Sequence, residues 1–183
     1  MIPTSDYTIL GIDPGNNLGL CLIKTDPNTI DIKSIYHYTH YLDRVAGTDV
    51  DEYFLKRKLH VRDIITNLYY RHNINMVGIE LAFVNNRFPR SAITLSEYIS
   101  FIELSIYTLS SRIKIFKYPP KTVKQLIGAT GNSNKDGMLD TIKKIDEIQP
   151  YISYDILTEH SVDALAIAYI TLQKIRNNNL LCI

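Results

Sequence analysis

Apolar residues in the first forty positions fall into three short runs, Tyr7 to Asp13, Leu18 to Lys24 and Thr29 to Tyr38. They are separated by the turn-prone segments Pro14-Gly15-Asn16-Asn17 and Thr25-Asp26-Pro27-Asn28. Short apolar runs bounded by Gly, Pro and Asn read as strands, and such brief connections make an antiparallel meander. From Asp51 the period changes. Phe54, Leu55, Leu59, Ile64, Ile65 and Leu68 recur at mainly helical spacing with charges between them, and the pattern stops after His72, which predicts an amphipathic crossover helix. A strand from Asn75 to Glu80, a helix from Ser91 to Ser110 and a strand from Ile113 to Tyr118 follow, the last ended by Pro119-Pro120. The segment Lys121 to Lys144 reads as two helical pieces broken at Gly128-Ala129-Thr130-Gly131-Asn132. Ile156 to Arg176 supplies the last helix, and residues 177–183 read as a loosely held tail. Each later helix returns the chain for a parallel strand, so the expected fold is α/β: one domain over residues 1–183, with a mixed five-stranded sheet flanked by helices.

Composition narrows this picture modestly. A chain of 183 residues is long enough for one well-packed domain. It has no run of about 18 apolar residues, and its start lacks a secretory pattern, so the expectation is an intracellular protein with no membrane partner. Cys21 and Cys182 have neither metal-type spacing nor a disulfide framework and read as reduced bystanders. The formal net charge is only +1, which argues against coating nucleic acid by bulk electrostatics. Local charge is different. Residues 84–124 carry seven basic side chains (Arg87, Arg90, Arg112, Lys114, Lys117, Lys121, Lys124) against two acids (Glu97, Glu103), either a surface for a polyanion or a set of solvated charges.

Four positions carry candidate chemistry. Ile9-Leu10-Gly11-Ile12-Asp13 and Met76-Val77-Gly78-Ile79-Glu80 are apolar runs that each end in an acid, so two adjacent strands would bring Asp13 and Glu80 together at one end of the sheet. In His160-Ser161-Val162-Asp163 the i to i+3 spacing sets imidazole and carboxylate on one helix face, and Ala164, Ala166 and Ala168 keep that helix slim. Carboxylates gathered at one place repel one another unless a cation offsets their charge. Oxygen ligands point to Mg²⁺ or Mn²⁺, and a pair of such ions can drive phosphodiester hydrolysis, which makes a metal-dependent nuclease the leading reading. Taken singly, Asp13 could initiate a turn, Glu80 could be a surface acid, and His160 with Asp163 could cap and pair within a helix start.

The motifs resemble a known family. Gly11-Ile12-Asp13-Pro14-Gly15 with Leu18-Gly19-Leu20, then Ile79-Glu80-Leu81-Ala82-Phe83 with Ser91-Ala92, then Val123-Lys124-Gln125 to Gly128 with Lys135, and finally His160 to Ala168 resemble, in order, the four motifs of RuvC-type Holliday-junction resolvases of the RNase H-like superfamily. The resemblance runs from about residue 7 to 172. A lone GIDPG would also fit actin-like ATPases, but this chain is short for their two lobes and lacks a second phosphate-binding loop. The resemblance implies that Asp13, Glu80, His160 and Asp163 hold two Mg²⁺ or Mn²⁺ ions, with no small-molecule cofactor. His160 stands where many relatives carry Asp, and as a softer donor it points toward Mn²⁺. Glu159, about 100° around the helix, is not counted as a ligand.

The same resemblance places Lys124 in the catalytic set near the scissile phosphate. Lys121 and Lys135 serve as further phosphate contacts and Phe83 as an aromatic stacked on bases at the crossover, and Arg87 and Arg90 complete the expected DNA-binding set. Phe83 could instead be a core residue. The implied activity is paired, symmetric nicking of branched DNA by a homodimer, leaving 5′-phosphate and 3′-hydroxyl ends; the Ile- and Asn-rich composition and the lack of a signal suit a bacterial or phage-infected cytoplasm. Ile93, Ile99, Phe101, Ile102 and Leu104 make the 91–110 helix a candidate interface, although it could equally pack on the sheet. The alternatives are an RNase H-like nuclease acting on flaps or RNA/DNA hybrids, or a non-catalytic junction-binding protein.

Overall fold

In the computed structural model, residues 6–15, 17–42, 49–82, 89–128 and 135–178 are described, with backbone only at 89, 135, 136 and 178. Strands β1 (Tyr7–Pro14), β2 (Asn17–Thr25) and β3 (Ile32–Tyr41) form the meander, with β1–β2 and β2–β3 antiparallel. Helix α1 (Val50–His72) crosses to β4 (Ile74–Glu80), which lies parallel to β1, and α2 (Pro89–Leu109) leads to β5 (Lys114–Tyr118), parallel to β4. The sheet order is β3-β2-β1-β4-β5. Helices α3 (Pro120–Ile127), α4 (Lys135–Ile142) and α5 (Glu159–Asn178) complete the chain. The mixed five-stranded α/β sheet expected from the pattern is therefore present.

Where bounds differ, a local hydrogen bond explains it. Thr29 does not start β3: Asp26 Oδ1 accepts the backbone N–H groups of Asn28 and Thr29, and Ile30 takes φ 61°, so these residues form a turn and pairing begins at Ile32. The last helix starts at Glu159 rather than Ile156, because Tyr154–Ile156 form a separate 3-10 turn. Thr158 and Ser161 then cap α5 reciprocally: Ser161 Oγ accepts the Thr158 N–H at 2.8 Å, and Thr158 Oγ1 accepts the Ser161 N–H at 3.2 Å. α5 continues through Asn178, two residues into the expected tail, whose remainder lies outside the described residues. Helix α3 ends where foreseen, at Gly128 with φ 89°, and residues 129–132 of the expected hinge lie outside the described residues.

Period-two alternation divides the core between the two faces of the sheet. Leu10 and Ile12 of β1, Leu20 and Leu22 of β2 and Val77 and Ile79 of β4 pack with Val61 and Ile65 of α1 and Ile102 and Ile106 of α2. Ile9, Cys21, Ile23 and Met76 pack instead with Leu165 and Ile167 of α5 and with Val123, Met138 and Ile142 of α3 and α4. Cys21 is free, and burial holds its thiol in the protonated form, whereas Cys182 lies outside the described residues. No helix among the described residues is long and apolar enough to cross a membrane.

Candidate active site

The alternation that sends Ile12 and Ile79 to the α1–α2 face sends Asp13 and Glu80 to the α5 face. Ile12 pairs with Ile79 across the parallel β1–β4 ladder, so the two acids follow at the same end of neighbouring strands. Helix α5 brings His160 and Asp163 in its first turn. It comes close because glycines lie beneath it: a Cβ on Gly19 would sit 2.1 Å from the His160 carbonyl oxygen, and one on Gly11 would sit 2.2 Å from that of Ala164. The small residues of α5 and these glycines together seat its N-terminus on the strand ends.

The electrostatics confirm that these groups face one another. Burial, then the charges of Asp13 and Asp163, push the Glu80 carboxyl up to about 8. Burial and Asp13 push Asp163 up to about 6. The Lys124 ammonium acts on both acids in the opposite sense, which places α3 on the rim of the same cluster. Asp13 is 8% exposed, and its Oδ2 stands 3.0 Å from His160 Nδ1, a contact that raises the imidazole pKa.

His160 is held at both nitrogens. Its Nε2 lies 3.2 Å from Asn17 Nδ2 and 3.4 Å from Glu159 Oε1. With the Asn17 amide donating, Nε2 is the acceptor and Nδ1–H donates to Asp13. Glu159 therefore reaches the ring of His160 from the flank, although helical geometry sets it apart from the expected ligand face. Asn17 is a site residue that sequence reasoning missed. Its only signal was the alternation placing it, like Gly19, on the α5 face of β2.

Three carboxylates and an imidazole form a donor set suited to a hard divalent cation, and the raised pKa values of Glu80 and Asp163 reflect their burial and, after it, the neighbouring negative charge that such a cation would offset. No group of three His, Cys, Asp or Glu among the described residues is arranged to hold an ion as it stands. The His160–Asp13 contact must open for both to face one cation. The donors fit a divalent cation in kind and in their shared location at one sheet end.

The family model for crossover junction endodeoxyribonuclease RuvC matches residues 9–171. The chain belongs to the RuvC family. Curated RuvC relatives include those of Histophilus somni, 25% identical over 93% of this chain and 82% of that protein, and Ehrlichia canis, 27% identical over 87% and 92%. The Thermus thermophilus RuvC structure shares the fold with a TM-score of 0.71 at 19% identity, covering 94% of this chain and 97% of that one. A structure of the same T. thermophilus protein with a Holliday junction substrate gives a TM-score of 0.69 at 18% identity over 93% and 96%. By this membership the chain is a crossover junction endodeoxyribonuclease.

The basic residues expected in this RuvC chain divide by position. Lys124 is half-buried beside the acids, and Lys121 is exposed at the start of α3. Arg90 opens α2 and lines a cavity of about 740 Å³ between α1 and α2, which it shares with Gly15, Arg57, Lys58 and Tyr98. This cavity adjoins the acids through Gly15 rather than containing them. Phe83 and Arg87 lie outside the described residues, as does the side chain of Lys135.

Proposed function

We propose that Asp13, Glu80, His160 and Asp163 hold two divalent ions and that Lys124 serves the same reaction from the rim. The reading is carried by one observation: acids from β1, β4 and α5 meet at one buried sheet end, where burial first and the neighbouring charges second raise the pKa values of Glu80 and Asp163. When bound, such ions would activate a water and offset charge on the leaving oxygen of an in-line displacement, giving 5′-phosphate and 3′-hydroxyl ends. The chain's own residues prepare the site. Glu80, close to half protonated near pH 8 without a cation, gives up its proton to become a ligand. Before a cation binds, Asn17 and Asp13 hold the His160 ring between them, and its nitrogen, once turned to a cation, is a softer donor that favours Mn²⁺ over Mg²⁺. Lys124 offers an ammonium to a non-bridging phosphate oxygen, with Lys121, Lys135, Arg87, Arg90 and Phe83 extending the contact to DNA.

Paired nicking requires two such sites, and α2 supports a homodimer. Ile99 and Ile102 are buried at 3% and 0% and belong to the core, not to an interface. Ile93, Leu104 and Tyr107 are 59%, 60% and 64% exposed on one side of the helix, with the polar Glu97 and Ser100 between them, and offer apolar contacts to a second copy. The test combines a labelled four-way junction and a matched linear duplex with Mg²⁺, Mn²⁺ or chelator, alongside Asp13→Asn. The expected outcome is symmetric nicks on the junction alone, lost with chelator and in the variant, by at least about 10³-fold. Equal cutting of the linear duplex, or wild-type cleavage by Asp13→Asn, overturns the reading.

A further inference from the structure

Among the buried charged residues, Arg57 has no place in the acid cluster. It lies on α1, 9% exposed, and its Nη2 donates to the backbone carbonyl of Gly15. On its other side the guanidinium rests over the ring of Tyr98 from α2, with Cζ 4.5 Å from the centroid. Gly15 ends the Asp13-Pro14-Gly15 turn, and its N–H donates back to the Asp13 carbonyl at 3.2 Å. A Cβ on Gly15 would stand 3.8 Å from His160 Cε1, so this turn separates Arg57 from the site by a single layer of backbone.

Burying a guanidinium sacrifices hydration, and replacing buried ionic groups with apolar residues of similar volume is often neutral or stabilising for the fold. Stability alone does not account for an arginine here. Its planar fork can hold a carbonyl at one edge while its face lies on an aromatic ring, which neither Lys nor Met can do. We propose that Arg57 is a positioning residue: it ties the turn after Asp13 to the α1–α2 pair and so sets where the Asp13 carboxylate stands relative to His160 and Glu80. This rests on the reading of Asp13 as part of the cleavage site. In this role Arg57 acts on the site through the Gly15 carbonyl, not on the reacting atoms.

Arg57→Met is the decisive variant, read by thermal melting, by junction affinity in chelator, by kcat at saturating junction and by Mn²⁺ binding to the protein alone, followed by electron paramagnetic resonance. A misplacement of about 1 Å at a reacting group is worth on the order of 10²-fold, so kcat is expected to fall about 10- to 100-fold. Junction affinity and melting should stay near wild type, the Mn²⁺ concentration for half-saturation should rise at least about threefold, and Arg57→Lys should recover part of both losses. A folded Arg57→Met with wild-type kcat and Mn²⁺ response overturns the proposal, as does a rate loss that only tracks the unfolded fraction. If Arg57→Met does not fold, Tyr98→Leu takes its place with a smaller loss of the same kind, and a folded Tyr98→Leu with no loss is equally decisive. Asp13→Asn runs in parallel. If it is inactive while Arg57→Met is unchanged, only the positioning role fails; if it cleaves normally, the active-site reading fails first.

Discussion

The two faces of the sheet are built from the same strands and serve opposite ends. Toward α1 and α2, Leu10, Ile12, Leu20, Leu22 and Ile79 fill space with large side chains at 0% exposure. Toward α5, the intervening positions include Gly11, Gly19 and Gly78, which contribute no side-chain volume, and Asp13 and Glu80, which contribute charge in a buried setting. One face stabilises by side-chain packing. The other brings a helix backbone down onto the strands so that the first turn of α5 can deliver His160 and Asp163 to the acids. At its C-terminal end β1 thus alternates between packing at Ile12 and chemistry at Asp13, while Ile9, earlier on the α5 face, still belongs to the core.

The sharpest way to break this contrast is to give the α5 face a side chain. Gly19→Ala would put a Cβ 2.1 Å from the His160 carbonyl oxygen, a backbone atom that cannot swing aside. Overpacking of this kind costs about 3 kcal/mol or more, whereas Ile12→Val on the opposite face removes one methylene and costs about 1 kcal/mol. Urea denaturation of both variants measures the difference. Equal losses would mean that α5 can lift off the sheet freely, and the close seating of the site would have no energetic content.

The acids offer a second contrast, with pH as the lever. In the folded, cation-free protein Glu80 titrates at about 8 against an ordinary 4.5, and Asp163 at about 6 against 3.8. A carboxyl raised in this way binds its proton more tightly folded than unfolded. Its contribution favours the fold at low pH and is lost as pH rises from the ordinary value through the raised one. His160, raised by Asp13, acts in the same direction. Glu80→Gln should therefore stabilise the cation-free protein by roughly 2 to 4 kcal/mol at pH 8 and by almost nothing at pH 4, since one pKa unit is about 1.4 kcal/mol. Thermal unfolding across that range is the measurement, and Mn²⁺ should supply much of the same stabilisation to the wild-type protein only. If the difference in melting temperature between Glu80→Gln and wild type were the same at both pH values, burial and the neighbouring charges would not be raising the Glu80 pKa.

Much of this was legible in the sequence because it depended on period and order. Apolar runs ending in Asp13 and Glu80 fixed both strand ends, and alternation then fixed the face, so the acid pair follows from spacing once β1 and β4 are neighbours. The placing of His160 and Asp163 on one face of α5 was legible from their i to i+3 spacing. Other features were not, because they depend on contacts between segments distant in sequence. Asn17 reaches His160 across 143 positions and Arg57 reaches Gly15 across 42, and no local pattern marks either residue. The start of β3 was misplaced because Asp26 spends its side chain on the backbone of Asn28 and Thr29, a competition that apolar patterning does not register.

The smallest contrast compares two helix caps. Asp49 caps α1 on the packing face, with Oδ1 accepting from the N–H groups of Asp51 and Glu52 at 2.9 and 3.2 Å. Thr158 caps α5 on the chemical face through its exchange with Ser161, and its hydroxyl also meets Thr39 of β3 at 2.5 Å. Replacing either by Ala should cost about 1 kcal/mol of stability, the usual value of an N-cap. Their effects on cleavage should part. The first turn of α1 carries no group of the site, so Asp49→Ala should leave kcat within about a factor of two, whereas Thr158→Ala loosens the turn bearing His160 and should lower kcat about three- to tenfold. Single-turnover cleavage of a junction, measured well below the melting temperature of either variant, separates the two. A matched loss of rate would show that the site senses overall stability rather than the seating of α5, and the division of labour between the two faces would have to be given up.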